Sequence, residues 1–142
     1  MKLKENKFRR ESFEFVSAVG KIIGESRTVV IYGIYLPPSL TRAKVARAAE
    51  LINLNITQIK TEYESPIVCI GGDFNQFGLS EFLSDHPDIS IADSPATRKE
   101  AKLDLIATNI QEHITECYTS SPLEGFETES DHKPLILSLI HI

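Results

Sequence analysis

Apolar residues fall into short runs divided by turn chemistry, and one longer stretch takes a different period. Phe13 to Ile23 is apolar with polar interruptions and predicts a strand bent at Gly20. Gly24-Glu25-Ser26 predicts a turn, and Thr28 to Tyr35 a second strand. The two read as an antiparallel hairpin, ended by Pro37-Pro38. The period then lengthens. Val45, Ala49, Ile52, Ile56 and Ile59 step by four and three, which is one face of an amphipathic helix. Arg42, Lys44, Arg47, Glu50 and Lys60 take its wetter side, and Ser39 or Thr41 supplies the cap. A β-branched run from Ile67, bounded by Pro66 and Gly71-Gly72, predicts a buried strand ending at Gly71. The glycines are expected to turn the backbone sharply there. A short helix over 79–83 and a short strand over 88–92 follow. Leu103 to Ala107 is apolar around one aspartate, and Ile114–Thr119 and Pro134–Ile140 predict the last two strands. Strands with one packed helix imply an α+β layered domain. No internal repeat or low-complexity segment interrupts it.

Composition narrows this only modestly. At 142 residues the chain fits one domain with a real core. A net charge of −5 removes any whole-chain cationic field for nucleic acid. The charge is uneven: the first ten residues carry +4 and the rest −9. Residues 1–12 are therefore expected to be a basic solvated tail, with the domain over 13–142. Cys69 and Cys117 form no C-x-x-C pair, and both predict buried free thiols of a reducing compartment. Without a signal peptide or an apolar run of membrane-spanning length, an intracellular location in cytoplasm or nucleus is expected.

Candidate chemistry lies at the edges of three apolar runs: Gly72-Asp73-Phe74-Asn75, Leu103-Asp104-Leu105 and Ser130-Asp131-His132. Asp73 and Asn75 are two apart, so their side chains can point the same way. A carboxylate there accepts a proton or holds a water, and an amide two residues on donates to a phosphate oxygen. Asp131-His132 adds a hard oxygen ligand and a group that titrates near neutral pH. Asp104 is expected to accept the other ring N–H of His132. Together these residues suit metal-assisted hydrolysis of a phosphate ester, with Mg²⁺ taking one or two carboxylates plus water and substrate. Each motif also has a plain structural reading. A G-D-x-N turn satisfies local backbone, Ser and Asp are common caps, and Asp104 can cap a neighbouring turn. The ordered set is more specific than any member. A Walker B reading of the run ending in Asp73 fails, because Gly20-Lys21 and Gly24 lack the phosphate-loop spacing.

This ordered set resembles the endonuclease/exonuclease/phosphatase (DNase I-like) superfamily. The likeness is carried by Tyr35-Leu36-Pro37-Pro38, Gly72-Asp73-Phe74-Asn75, Leu103-Asp104-Leu105-Ile106 and Ser130-Asp131-His132-Lys133-Pro134. The wording Tyr-Leu-Pro-Pro-Ser and Ala-Thr-Arg…Leu-Asp-Leu-Ile-Ala-Thr-Asn is most similar to non-LTR retrotransposon endonuclease domains. The resemblance implies a Mg²⁺-dependent reaction on a DNA phosphodiester, with small phosphate esters as the alternative substrate. It implies that Tyr35 contacts the scissile phosphate and that Asp73 positions or deprotonates the attacking water. Asn75 would hydrogen-bond the phosphate, Asp131 would belong to the metal site, and His132 would donate to a phosphate oxygen, oriented by Asp104. Thr97 and Arg98 match a Thr-Arg pair of such domains, and Arg98 is either a phosphate contact or a surface ion pair.

One departure matters. The family's fold is a four-layer αββα sandwich whose early strands carry a Gln-Glu motif, and that glutamate is a principal metal ligand. None of Glu5, Glu11, Glu14 and Glu25 follows an apolar strand in the required way. The chain is expected to hold the C-terminal part of the sandwich without its N-terminal strands, and to bind Mg²⁺ weakly. An uncovered sheet face would invite self-association or pairing with another chain, which makes a non-catalytic binding module or half of a split domain the third reading.

Overall fold

The computed structural model describes residues 6–10, 13–99, 101–119 and 135–139. Asp131 and His132 lie outside them. Among the described residues, eight strands and one long helix order as β1 (Asn6–Arg10), β2 (Phe13–Gly20), β3 (Val29–Tyr35), α1 (Arg42–Glu62), β4 (Ile67–Asp73), β5 (Ser90–Ile91), β6 (Asp104–Thr108), β7 (Ile114–Thr119) and β8 (Leu135–Leu139). Six strands form a mixed sheet in the order β1-β2-β3-β4-β6-β5, and β7-β8 form a second, two-stranded sheet. The expected hairpin is β2–β3, paired antiparallel from Glu14↔Tyr35 to Gly20↔Val29. Strands β3 and β4 pair parallel, which requires a crossover, and α1 provides it. The architecture is α+β.

Alternation along β3 sets the layers. Val30, Tyr32 and Ile34 are buried, whereas Ile31 and Tyr35 are exposed. The buried set joins Val68 and Ile70 of β4 and packs under Val45, Ala48, Ala49, Ile52 and Ile56 of α1. Thr41 caps α1, its hydroxyl accepting from the Lys44 N–H at 3.4 Å, and Lys60 lies in the last turn. Phe15 stacks on Tyr32 with ring centroids 5.5 Å apart. Burial pushes the Tyr32 hydroxyl pKa well above its ordinary value, and that hydroxyl donates to Asn55 Oδ1 at 2.9 Å. On the opposite face Ile110 packs on Val29 and Ile67 at one end. Beyond Ile110 the chain leaves the large sheet for β7.

Several sequence expectations shift. The basic start, expected as a tail, contributes β1, which pairs antiparallel with β2 from Asn6↔Ser17 to Arg10↔Phe13. Strand β4 does not end at Gly71. It runs through both glycines to Asp73, because a Cβ on Gly72 (φ +155°) would lie 1.8 Å from the Ile34 carbonyl oxygen. Glycine serves close strand approach there rather than a turn. Strand β5 shrinks to two residues, since the chain turns over residues 86–89, where the Ile89 N–H reaches the His86 carbonyl. The helix expected over 79–83 is a 3₁₀ turn, Ser80–Leu83. Both cysteines are free but only partly buried, and burial raises each thiol pKa; a hydrogen bond with Thr108 opposes this at Cys69.

Candidate active site

Three predicted residues meet at one rim of the large sheet. Tyr35 pairs with Asp73 across β3–β4, and Asp73 pairs with Asp104 across β4–β6. Adjacent strands lie about 4.8 Å apart and laterally paired side chains share a face. Tyr35, Asp73 and Asp104 therefore form one row on the face opposite α1. Tyr35 is 40% exposed, while the two aspartates are half-buried. The next row inward is Val16, Gly33, Gly71 and Ile106. The row, which Glu14 of β2 continues through its pairing with Tyr35, borders a largely apolar surface.

Local hydrogen bonds fix the row. Asp73 Oδ1 accepts the Asn75 N–H at 2.9 Å, an Asx turn that holds Asn75 at φ +47°. Phe74 between them is fully buried and meets the Phe82 ring edge-on at 5.7 Å. That burial anchors the turn and leaves Asp73 and Asn75 at the surface. Asn75 Nδ2 donates to the Leu36 carbonyl at 2.7 Å, so one of its two amide hydrogens is committed to the scaffold. Gln76 Nε2 donates to the Pro38 carbonyl at 2.8 Å.

Asp104 is held from the other side. Thr97 is fully buried, and its hydroxyl accepts the Asp104 N–H at 3.2 Å. The Thr97 N–H also reaches the Ala101 carbonyl at 3.1 Å, closing a tight loop whose Arg98 and Ala101 form a bridge. Arg98 is exposed at the tip of this loop. The structural role of Thr97 went unread in the sequence, where it stood only as half of a Thr-Arg pair. A threonine opening a polar stretch, seven residues before a strand-initiating aspartate, was the available signal.

The remaining members of the predicted site, Asp131 and His132, fall outside the described residues, so the Asp104–His132 contact is not described either. Among the described residues no group of three His, Cys, Asp or Glu side chains is arranged to hold a metal ion. Asp73 and Asp104 nevertheless place two carboxylates side by side, a donor set that suits the oxygen preference of Mg²⁺. Also among them, no helix is long and apolar enough to cross a membrane.

No family model and no curated protein matches the sequence. Solved structures do match the fold. Against a mannosyl-6-phosphatase of Bacteroides thetaiotaomicron VPI-5482 the TM-score is 0.68 at 14% identity, over 91% of this chain and 57% of that one. Against the human Nocturnin catalytic domain with bound sulfate it is 0.61 at 14% identity, over 96% and 60%. Against an endonuclease/exonuclease/phosphatase family protein of Leptotrichia buccalis it is 0.55 at 16% identity, over 90% and 54%. The chain thus spans less than two thirds of each of these structures. What it shares with them is the fold of endonuclease/exonuclease/phosphatase (DNase I-like) proteins.

Proposed function

We propose that the chain carries part of a Mg²⁺-assisted phosphodiesterase site of retroelement origin, directed at DNA, and that alone it turns over slowly or not at all. The observation behind this reading is the row Tyr35–Asp73–Asp104 at the ends of three adjacent strands. In this reading Tyr35 contacts the scissile phosphate and Asp73 orients or deprotonates the attacking water. The second Nδ2 hydrogen of Asn75 donates to a phosphoryl oxygen as charge develops. Asp104 orients His132, which donates to the same phosphate, and Arg98 meets a flanking phosphate. Asp131 would belong to the metal site, and Mg²⁺ when bound there would neutralise phosphoryl charge. The expectation of low turnover rests on Glu5, Glu11, Glu14 and Glu25, none of which follows an apolar strand as the family's metal-binding glutamate does.

The test is an NMR titration with a short DNA duplex and Mg²⁺. Amide shifts clustered at 35–36, 73–75 and 97–104, abolished by Asp73→Ala, are the expected result. Shifts elsewhere or none would overturn the reading. Rapid nicking of supercoiled plasmid that Asp73→Ala abolishes would overturn the claim of low activity alone. The phosphatase among the fold's relatives favours a small phosphate ester as the alternative substrate. Tighter binding of an inositol phosphate than of the duplex would select it.

A second reading, non-catalytic association through the open sheet face, is favoured by Val16 at 42% and Ile31 at 55% exposure on that face. It predicts self-association at micromolar concentration in sedimentation velocity, and a monodisperse monomer would count against it.

A further inference from the structure

We infer that Gln76 is a positioning residue of this site: its amide holds the Pro37–Pro38 rim against the Asp73 turn. The inference rests on the phosphate-ester reading above for its functional meaning, and on geometry for the clamp itself.

The β3–β4 pair is parallel, and its last regular main-chain bond runs from the Leu36 N–H to the Asp73 carbonyl at 2.9 Å. In a regular parallel ladder the Leu36 carbonyl would next accept the Asn75 N–H. That N–H is turned into the Asx turn on Asp73 instead. The Asn75 side-chain amide takes its place on the Leu36 carbonyl. One step further, the Pro38 carbonyl would accept the Phe77 N–H. That donor is turned back to the Phe74 carbonyl at 3.0 Å in the 3₁₀ turn Asn75–Phe77. The Gln76 side chain takes its place on Pro38.

Meanwhile Pro37 and Pro38 bring no N–H of their own. Two consecutive side-chain amides therefore extend the ladder by two steps past the point where the main chain departs. Each stands in for a backbone donor that the catalytic turn has withdrawn.

The rim they hold is a compact unit. The Leu40 N–H closes on the Pro37 carbonyl at 3.1 Å, with Pro38 second in the turn, where its fixed φ is favoured. Leu36 and Leu40 bury the two ends of this unit, whereas Pro38 and Ser39 at its tip are exposed. Gln76 is the tie at that tip. Removing it frees the wall that follows Tyr35 without touching the core.

Gln76→Ala and Gln76→Glu test this, the second keeping the shape while losing the donor. Expected is a threefold to tenfold faster exchange of the Leu40 amide in both, about what one neutral hydrogen bond supports. A threefold to tenfold weaker binding of inorganic phosphate in the presence of Mg²⁺ should accompany it, at a Tm within about 2 °C of the parent. Unchanged Leu40 exchange overturns the clamp. Faster exchange with unchanged phosphate binding overturns the positioning role. If the parent protein binds no phosphate, the phosphate-ester reading falls, and Leu40 exchange alone decides the clamp.

Discussion

The two faces of the six-stranded sheet come from the same residues in alternation, yet they do opposite work. On one, Val30, Tyr32, Ile34, Val68 and Ile70 disappear beneath α1. On the other, Ile110 covers one end, Ile31 and Val16 stay exposed in the middle, and Tyr35, Asp73 and Asp104 close the far rim. The first face makes the strands rigid. The second uses that rigidity to hold polar groups within one strand spacing of each other. Side chains one residue apart thus belong to different settings, a packed core and an open polar rim, and substitutions should separate them.

The largest expected effect sits where the two faces cannot be separated. Gly72→Ala would drive a Cβ into the Ile34 carbonyl and force the β3–β4 pair apart. A loss of about 4 kcal/mol or more, or no folded protein at all, is expected in urea denaturation. A well-folded Gly72→Ala variant would contradict the strand register itself. Next, the faces should part clearly. Ile70→Ala, under the helix, should cost about 2–5 kcal/mol, and Ile31→Ala, on the open face, about 0.5 kcal/mol or less. Equal costs would mean that the open face is covered in solution, and would favour association through it.

A smaller effect is expected at Thr97→Val, which keeps the buried volume and leaves the Asp104 N–H without its acceptor. About 1–3 kcal/mol should be lost, with weaker phosphate binding at unchanged sheet structure. The smallest effect lies away from both faces. Burial would raise the Asp88 carboxyl pKa, but hydrogen bonds from the Lys60 ammonium at 2.5 and 2.7 Å more than offset it, leaving the group below its ordinary value. A depressed carboxylate stabilises the fold above its unfolded pKa and loses that contribution as pH falls through the folded one. The Asp88 contribution, less than about 1 kcal/mol, should therefore be lost below pH ~4, so the stability difference between the parent and Asp88→Asn should shrink by that amount as pH falls.

Much of this division was legible in the sequence. The 3.6-residue period from Val45 to Ile59 gave the helix that covers one face, and of the two expected caps, Ser39 and Thr41, Thr41 is the one. The apolar runs gave β2, β3 and β4, and the strand-end positions of Asp73 and Asp104 pointed to one polar site, though not to the row they form with Tyr35. What could not be read was long-range. Nothing local says that Gly72 must pass against Ile34, so the glycine pair read as a turn. The amide ties from Asn75 and Gln76 reach residues nearly forty positions away, and no periodicity encodes them. The basic start read as a tail because its charge is local, whereas its pairing with β2 is a tertiary fact.

The parallel pairing of β3 with β4 also dictates an order of assembly. Tyr35 leaves the ribosome well before Asp73, and between them lies the whole of α1. Hairpin β2–β3 and the helix can form from local contacts, but β4 must then close a long loop to settle between β3 and β6. The rim where Tyr35 meets Asp73 and Asp104 comes into being only with that insertion, so a chain caught before it would hold a hairpin and a helix but not that polar row.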